Sequence, residues 1–227
     1  MNGVLAAPFY DLDGQIAIDL PGARAVFTTA LWGDVRETDA EIASRLGVSV
    51  ARARQVHGTT VIQTKIVPCG VMTEADAVAT STPGIAPMVI SADCVPIMIA
   101  GGGAVAAVHA GWKGLRDGVI ERGVAAVRRM SSEAEPELSA AIGPCAGACC
   151  YEVSDELHET FAQLGRDFRN GQNLDLNAIA RQQLSELGVE TVHELGLCTI
   201  CSEPDYLFSY RRDQRETGRQ GALIWLT

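Results

Sequence analysis

Three residues of this 227-residue chain have the types to do chemistry together. His57 lies in Gln55-Val56-His57-Gly58, and Cys94 in Ser91-Ala92-Asp93-Cys94. His109 follows the apolar run Val105 to Val108 and precedes Gly111-Trp112-Lys113-Gly114. Each falls where an apolar run meets a turn, at the rim of a rigid scaffold. Two imidazoles and a thiolate suit zinc, which in catalytic sites takes three protein ligands and leaves a fourth position open. That position polarises a substrate oxygen or lowers the pKa of a water. The spacings of 37 and 15 residues match no compact zinc signature. On spacing alone, a satisfied structural histidine and a small hydrophobic cysteine stay open as alternatives.

Other residues extend the set. Asp76 and Asp93 sit in apolar contexts. Either can orient an imidazole by accepting its second N–H, act as a general base, or cap a turn. Cys198-Thr199-Ile200-Cys201 is a lone CxxC pair; a zinc ribbon needs a second pair and a redox motif a βαβ context. Cys145, Cys149 and Cys150 fall in the Gly- and Pro-containing stretch Gly143 to Glu152, which can line a pocket. All five of these cysteines read as structural thiols. Arg211, Arg212 and Arg219 concentrate positive charge near the C-terminus. They read as a phosphate or carboxylate clamp or as a solvated hairpin.

The elements that must position these groups follow from hydrophobic pattern. Strands are expected at Ala25–Thr29, Val61–Val67 (stopped by Pro68), Pro87–Ser91, Ile97–Ala100, Ala104–Val108, Leu138–Ile142, Leu207–Tyr210 and Ala222–Leu226. Helices are expected at Thr38–Leu46, Leu115–Met130, Asp155–Leu164 and Leu176–Leu187, with a turn at Gly111–Gly114. Strands and helices mix without strict βαβ alternation, which predicts an α+β layered sandwich. The net charge of -10 and pI of about 4.8 argue against nucleic-acid and anionic-membrane partners. The N-terminus lacks a basic n-region, so no signal peptide is expected. The apolar stretch Ile85 to Ala110 is broken by Asp93, two prolines and three glycines, against a membrane span. Seven cysteines without a signal predict reduced thiols in the cytoplasm.

In order and type, the blocks QVHG, ADAVAT, SADCVPI, VHAGWKG, IGPCAGACCYEV and FSYRRDQRETGR resemble the bacterial laccase-domain proteins. Members of that family are named polyphenol oxidases, purine nucleoside phosphorylases or peptidoglycan editing factors. The resemblance runs from Gln55 to the C-terminus. It implies one domain over residues 1–227, a layered sandwich of mixed sheets flanked by helices. It also implies zinc on His57, Cys94 and His109. The activities it implies are phosphorolysis of adenosine, inosine and methylthioadenosine, adenosine deamination, and laccase-like oxidation with copper. The N-terminal third departs from the family pattern. Phe27 to Asp34 stands where an Arg-Gly-Gly-Val-Ser-type stretch is usual, which predicts a shortened region and altered or lost substrate contacts.

Four functions therefore compete. Nucleoside phosphorolysis needs an anion site for phosphate; Lys113 and Arg211 are the candidates by motif position. Deamination suits the same site, with Asp93 shuttling protons. A copper oxidase would draw an axial ligand from Met88 or Met98. Only His158 and His193 remain beyond the first two histidines, too few for a multicopper cluster. A thiol hydrolase would use Cys94 as nucleophile and a histidine as base, on an amide such as a cell-wall precursor. A catalytically impaired binding protein is the fourth. Oligomeric state has no signature in the sequence.

Overall fold

The computed structural model describes residues 5–67, 70–164 and 167–227. In chain order its strands are β1 (Tyr10–Leu12), β2 (Gln15–Leu20), β3 (Ala23–Phe27), β4 (Ser49–Arg54), β5 (Val61–Gln63), β6 (Met72–Glu74), β7 (Ala77–Thr80) and β8 (Ile85–Ser91). They continue with β9 (Val95–Gly101), β10 (Ala104–Ala110), β11 (Ser139–Ile142), β12 (Arg169–Asn170), β13 (Asn173–Leu174), β14 (Thr191–Glu194) and β15 (Gln220–Leu226). The helices are α1 (Val35–Leu46), α2 (Trp112–Asp117), α3 (Val119–Met130), α4 (Asp155–Ala162), α5 (Leu176–Glu186) and α6 (Tyr210–Asp213). One large sheet has the order β1-β2-β3-β15-β8-β4-β6, the other large sheet β14-β11-β9-β10-β7-β5, and β12 and β13 pair as a separate two-stranded ribbon. Most neighbours are antiparallel. β4 runs parallel to β6 and β8, β5 to β7, and β11 to β14, so both sheets are mixed.

Every residue of β9 and β10 is buried. Alternate side chains leave opposite faces of a strand, so these two strands serve two cores. Ile97, Ile99, Ala106 and Val108 pack with Ile120 and Val124 of α3 and with Ile179 and Leu184 of α5. Met98, Ala100, Val105 and Ala107 meet Ile16, Ile18, Phe27 and Ile224 of the other sheet. The outer face of that sheet is covered by α1, where Val35 and Ile42 pack on Met88 and Leu223. The layers are helix, sheet, sheet, helix, the α+β sandwich expected.

Several local expectations are corrected. The N-terminal ribbon β1–β2 has no counterpart among the expected strands. The Val61–Val67 strand stops at Gln63. The Thr64 hydroxyl donates to the Ile66 carbonyl at 2.7 Å and accepts the Ile66 N–H at 3.2 Å, which turns the chain locally. Its expected stop, Pro68, lies outside the described residues. Gly111–Gly114 is not a simple turn but the entry to α2, and Gly118 at φ 88° separates α2 from α3. Leu207–Tyr210 forms no strand. The Phe208 N–H and carbonyl bond the side-chain amide of Gln220, and the Ser209 hydroxyl accepts the Arg212 N–H to start α6. Among the described residues no helix is long and apolar enough to cross a membrane.

Candidate metal centre

Three separate connections bring the candidate ligands together. His57 lies in the loop after β4, Cys94 in the link from β8 to β9, and His109 near the end of β10. Their ligand atoms all lie within 4.8 Å of one another. Cys94 Sγ is 3.8 Å from His57 Nε2, and the two imidazole centroids are 5.0 Å apart at 73°.

Asp76, fully buried before β7, organises the group. Its Oδ1 accepts the His57 N–H at 2.9 Å and His109 Nδ1–H at 2.8 Å. Its Oδ2 accepts the N–H groups of Val56 at 3.1 Å and Gly58 at 2.7 Å. The Asp76 carbonyl also accepts the His109 N–H at 2.7 Å. Three successive N–H groups wrapped on one carboxylate form an anion nest, and they hold His57 at φ 59°, the left-handed region. With Nδ1 committed to Asp76, His109 presents Nε2 to the cluster.

The charges support one another. Burial opposes a charged Cys94, but the imidazoles of His109 and His57 outweigh it and bring the thiol down to about 6. Burial likewise opposes a charged His109, but Cys94 and Asp76 raise it to about 9. Asp76 also resists burial, through the His109 imidazole and the N–H groups of Gly58 and Val56, and lies below the ordinary carboxylate range. A thiolate and two imidazoles, oriented by a buried carboxylate, fit zinc. Gly111 makes room for them: a Cβ there would lie 2.9 Å from His57 Cδ2 and 3.1 Å from Cys94 Sγ.

A cavity of about 220 Å³ opens on the cluster, lined by His57, Asp93, Cys94, Trp112, Lys113, Tyr151 and Leu176. Lys113 Nζ lies 5.5 Å from the Trp112 ring centroid. The Arg211 guanidinium stacks 4.9 Å over the Tyr151 ring, and its Nη1 donates to the Glu152 carbonyl at 2.8 Å. Asp93, at φ 99°, has both carboxylate oxygens engaged. Oδ1 accepts the Thr199 hydroxyl at 2.6 Å, and Oδ2 accepts the Arg211 N–H at 2.6 Å.

Other expectations fare differently. Arg212 donates to the carbonyls of Thr199, Ser202 and Leu207, and Arg219 to those of Thr217 and Gly218. Arg212 ties loops together and Arg219 bonds only its own segment, whereas Arg211 stacks on Tyr151 of the cavity wall. Met88 and Met98, the axial candidates, are buried in two different apolar cores and do not line the cavity. His158 bonds the Gln172 carbonyl, and His193 lies on β14. Tyr151 falls in the Gly143 to Glu152 stretch expected to line a pocket, whereas sequence reasoning did not single out Trp112 or Leu176 as cavity walls. Trp112 lies inside a recognisable block; Leu176 carries no signal of its own.

In this layered α/β protein two imidazoles and a thiolate, a set suited to a metal ion, meet beside a cavity. The family described as multi-copper polyphenol oxidoreductase laccase matches residues 32–227, and the chain belongs to it. It is 40% identical over 192 residues to the purine nucleoside phosphorylase of Xylella fastidiosa strain Temecula1, covering 76% of this chain and 70% of that one. It is 35% identical over 237 residues to a purine nucleoside phosphorylase of Pseudomonas aeruginosa, covering 99% and 90%. That alignment takes in the N-terminal third, which here folds as β1–β3, α1 and β4. Among solved structures, a Neisseria meningitidis protein superposes with a TM-score of 0.81 at 31% identity, covering 94% of this chain and 99% of that one. The Bacillus licheniformis protein YfiH superposes with a TM-score of 0.84 at 25% identity, covering 98% and 100%.

Proposed function

We propose that this chain holds zinc on His57, Cys94 and His109 and catalyses phosphorolysis of purine nucleosides: adenosine, inosine and methylthioadenosine. The observation that carries the reading is the cavity itself, which joins His57 and Cys94 to two aromatic walls and to Lys113, with Arg211 stacked on the Tyr151 wall. The names of the Xylella and Pseudomonas relatives support the same reaction. In it, a phosphate oxygen bonds to C1′ of the ribose as the N-glycosidic bond breaks. The bonding pair leaves with the base, and the products are free purine and ribose 1-phosphate, or 5-methylthioribose 1-phosphate from methylthioadenosine.

Positive charge builds on the ribose during that displacement, as in glycoside cleavage. Lys113 and Arg211 bind the phosphate, one as a point charge and the other as a fork. Trp112 and Tyr151 flank the planar base. Asp93 is a positioning residue, because its bonds to the Arg211 N–H and the Thr199 hydroxyl hold the cation-bearing segment against the cavity. Zinc, when bound, supplies Lewis acidity at the cavity floor. The free thiols fit the reducing cytoplasm.

The test is product analysis of the zinc-loaded protein given adenosine, inosine and methylthioadenosine in turn, with and without phosphate. Phosphate-dependent adenine and ribose 1-phosphate support the proposal. Inosine formed without phosphate would assign the site to deamination instead, and no turnover of any of the three nucleosides would sink both.

One observation favours a second reading, a thiol hydrolase: the Cys94 thiol at about 6, 3.8 Å from His57 Nε2. In that case zinc would inhibit, and the metal-free protein would form an acyl-enzyme on Cys94 that is detectable by mass.

A further inference from the structure

A second group of metal-ligating side chains lies outside the site already described. Cys149 and Cys150 are in the loop after β11, and Cys198 and Cys201 in the loop after β14. The backbone binds these loops together. Cys145 and Cys198 form a parallel bridge, with the Cys145 N–H on the Leu197 carbonyl at 3.2 Å and the Thr199 N–H on the Cys145 carbonyl at 2.9 Å. The four sulfurs of Cys149, Cys150, Cys198 and Cys201 lie within 4.8 Å of one another. Cys201 Sγ is 2.7 Å from Cys150 Sγ and 3.2 Å from Cys149 Sγ.

We propose that Cys149, Cys150, Cys198 and Cys201 hold a second, structural zinc ion. The proposal stands apart from the nucleoside reading. Closed structural zinc sites take four ligands, often all cysteine, and a CxxC pair is their usual half-site. Arms of 2.3 Å give a tetrahedron with edges of about 3.8 Å. The Cys201–Cys149 and Cys201–Cys150 sulfur separations, 3.2 and 2.7 Å, lie below that value and all four sulfurs lie within 4.8 Å of one another, so side-chain rotation must open the group to reach it. The Cys198 sulfur accepts the Gly147 N–H at 3.2 Å, which ties it to the loop that carries Cys149 and Cys150. Core packing does not account for Cys149 and Cys201, which are exposed. Cys145 is the contrast: it is buried, and its thiol donates to Asn177.

The position gives the ion a task. The first loop carries Tyr151 and the Ala146 N–H that bonds the Asp93 carbonyl at 2.8 Å. The second carries Thr199, whose hydroxyl bonds the Asp93 carboxylate. Zinc on the four sulfurs, each thiol giving its proton to solvent, fastens both loops behind one wall of the cavity.

The experiment counts metal in full-length protein, loaded with zinc under reducing conditions and then dialysed. Wild type is expected to keep about two zinc ions per chain. The His57→Ala/His109→Ala variant is expected to keep about one, and its cobalt(II) form to show the strong thiolate charge-transfer bands of an all-sulfur tetrahedral site. Adding Cys149→Ser and Cys201→Ser to that variant is expected to remove the remaining ion and those bands. A His57→Ala/His109→Ala variant that keeps no zinc while its far-UV circular dichroism matches wild type would overturn the proposal. So would retention of the second ion after both serine changes, or a Cys150–Cys201 disulfide in protein purified with reductant.

Discussion

Asp76 does more for the candidate centre than any ligand. Its carboxylate accepts three backbone N–H groups and one imidazole N–H, which fixes the His57 loop and the His109 ring together. An amide in its place must turn an N–H₂ toward some of those donors. Asp76→Asn is therefore expected to weaken zinc binding about 10–100-fold, the usual effect of losing a partner behind a metal ligand. Competition with a chromogenic chelator measures it, and unchanged affinity would show that the nest is dispensable. Asp93→Asn, which disturbs the Arg211 segment instead, is expected to raise KM for phosphate and leave zinc content unchanged. Initial rates at varied phosphate check this. The ligand types were legible in the sequence, because imidazole and thiolate advertise their chemistry. The role of Asp76 was only half legible: its donors are mostly backbone N–H groups, and they converge only because His57 adopts φ 59°. Sequence reasoning gave Asp93 a proton-transfer role, but its oxygens are occupied by partners at sequence separations of 106 and 118 residues.

At the scale of elements, two glycines show how closely the helices approach what they position. Gly111, the N-cap of α2, has an ordinary φ of -73°, so alanine fits its backbone but not its surroundings. Gly111→Ala is expected to push His57 and Cys94 apart and lower zinc content while leaving the far-UV circular dichroism unchanged. Gly123 lies inside α3, where alanine is favoured by about 1 kcal/mol on helix propensity. A Cβ there would meet Val108 Cγ2 at 2.6 Å, and overpacking costs about 1–3 kcal/mol. The steric effect wins, so Gly123→Ala is expected to lower the urea midpoint; a rise would mean that α3 can move off β10. The runs that became β9 and β10 were readable because both faces of those strands are buried. The false strand at Leu207–Tyr210 has the same apolar look, but its backbone partners come from a glutamine side chain that no local pattern reveals.

The whole molecule places its site at the ends of strands shared by two cores. Ile97 faces the helices and Met98 the other sheet. Truncating either to alanine is expected to cost about 2–5 kcal/mol in denaturant unfolding; a small cost at only one would mean that one core contributes little. The layered architecture was legible from mixed strands and helices, whereas the order of the sheets depends on long-range pairings such as β15 between β3 and β8. The departure from the family pattern before Gln55 did not remove that part of the fold: β1–β3 supply nearly half of one sheet. The group formed by His57, Cys94 and His109 is proposed to bind zinc and drive phosphorolysis. The most direct measurement is adenine release from adenosine and phosphate by wild type and Cys94→Ala, with zinc content read on the same samples. The expected result is that Cys94→Ala loses the zinc at this site and at least a hundredfold in rate. Full activity together with unchanged zinc in Cys94→Ala would contradict it.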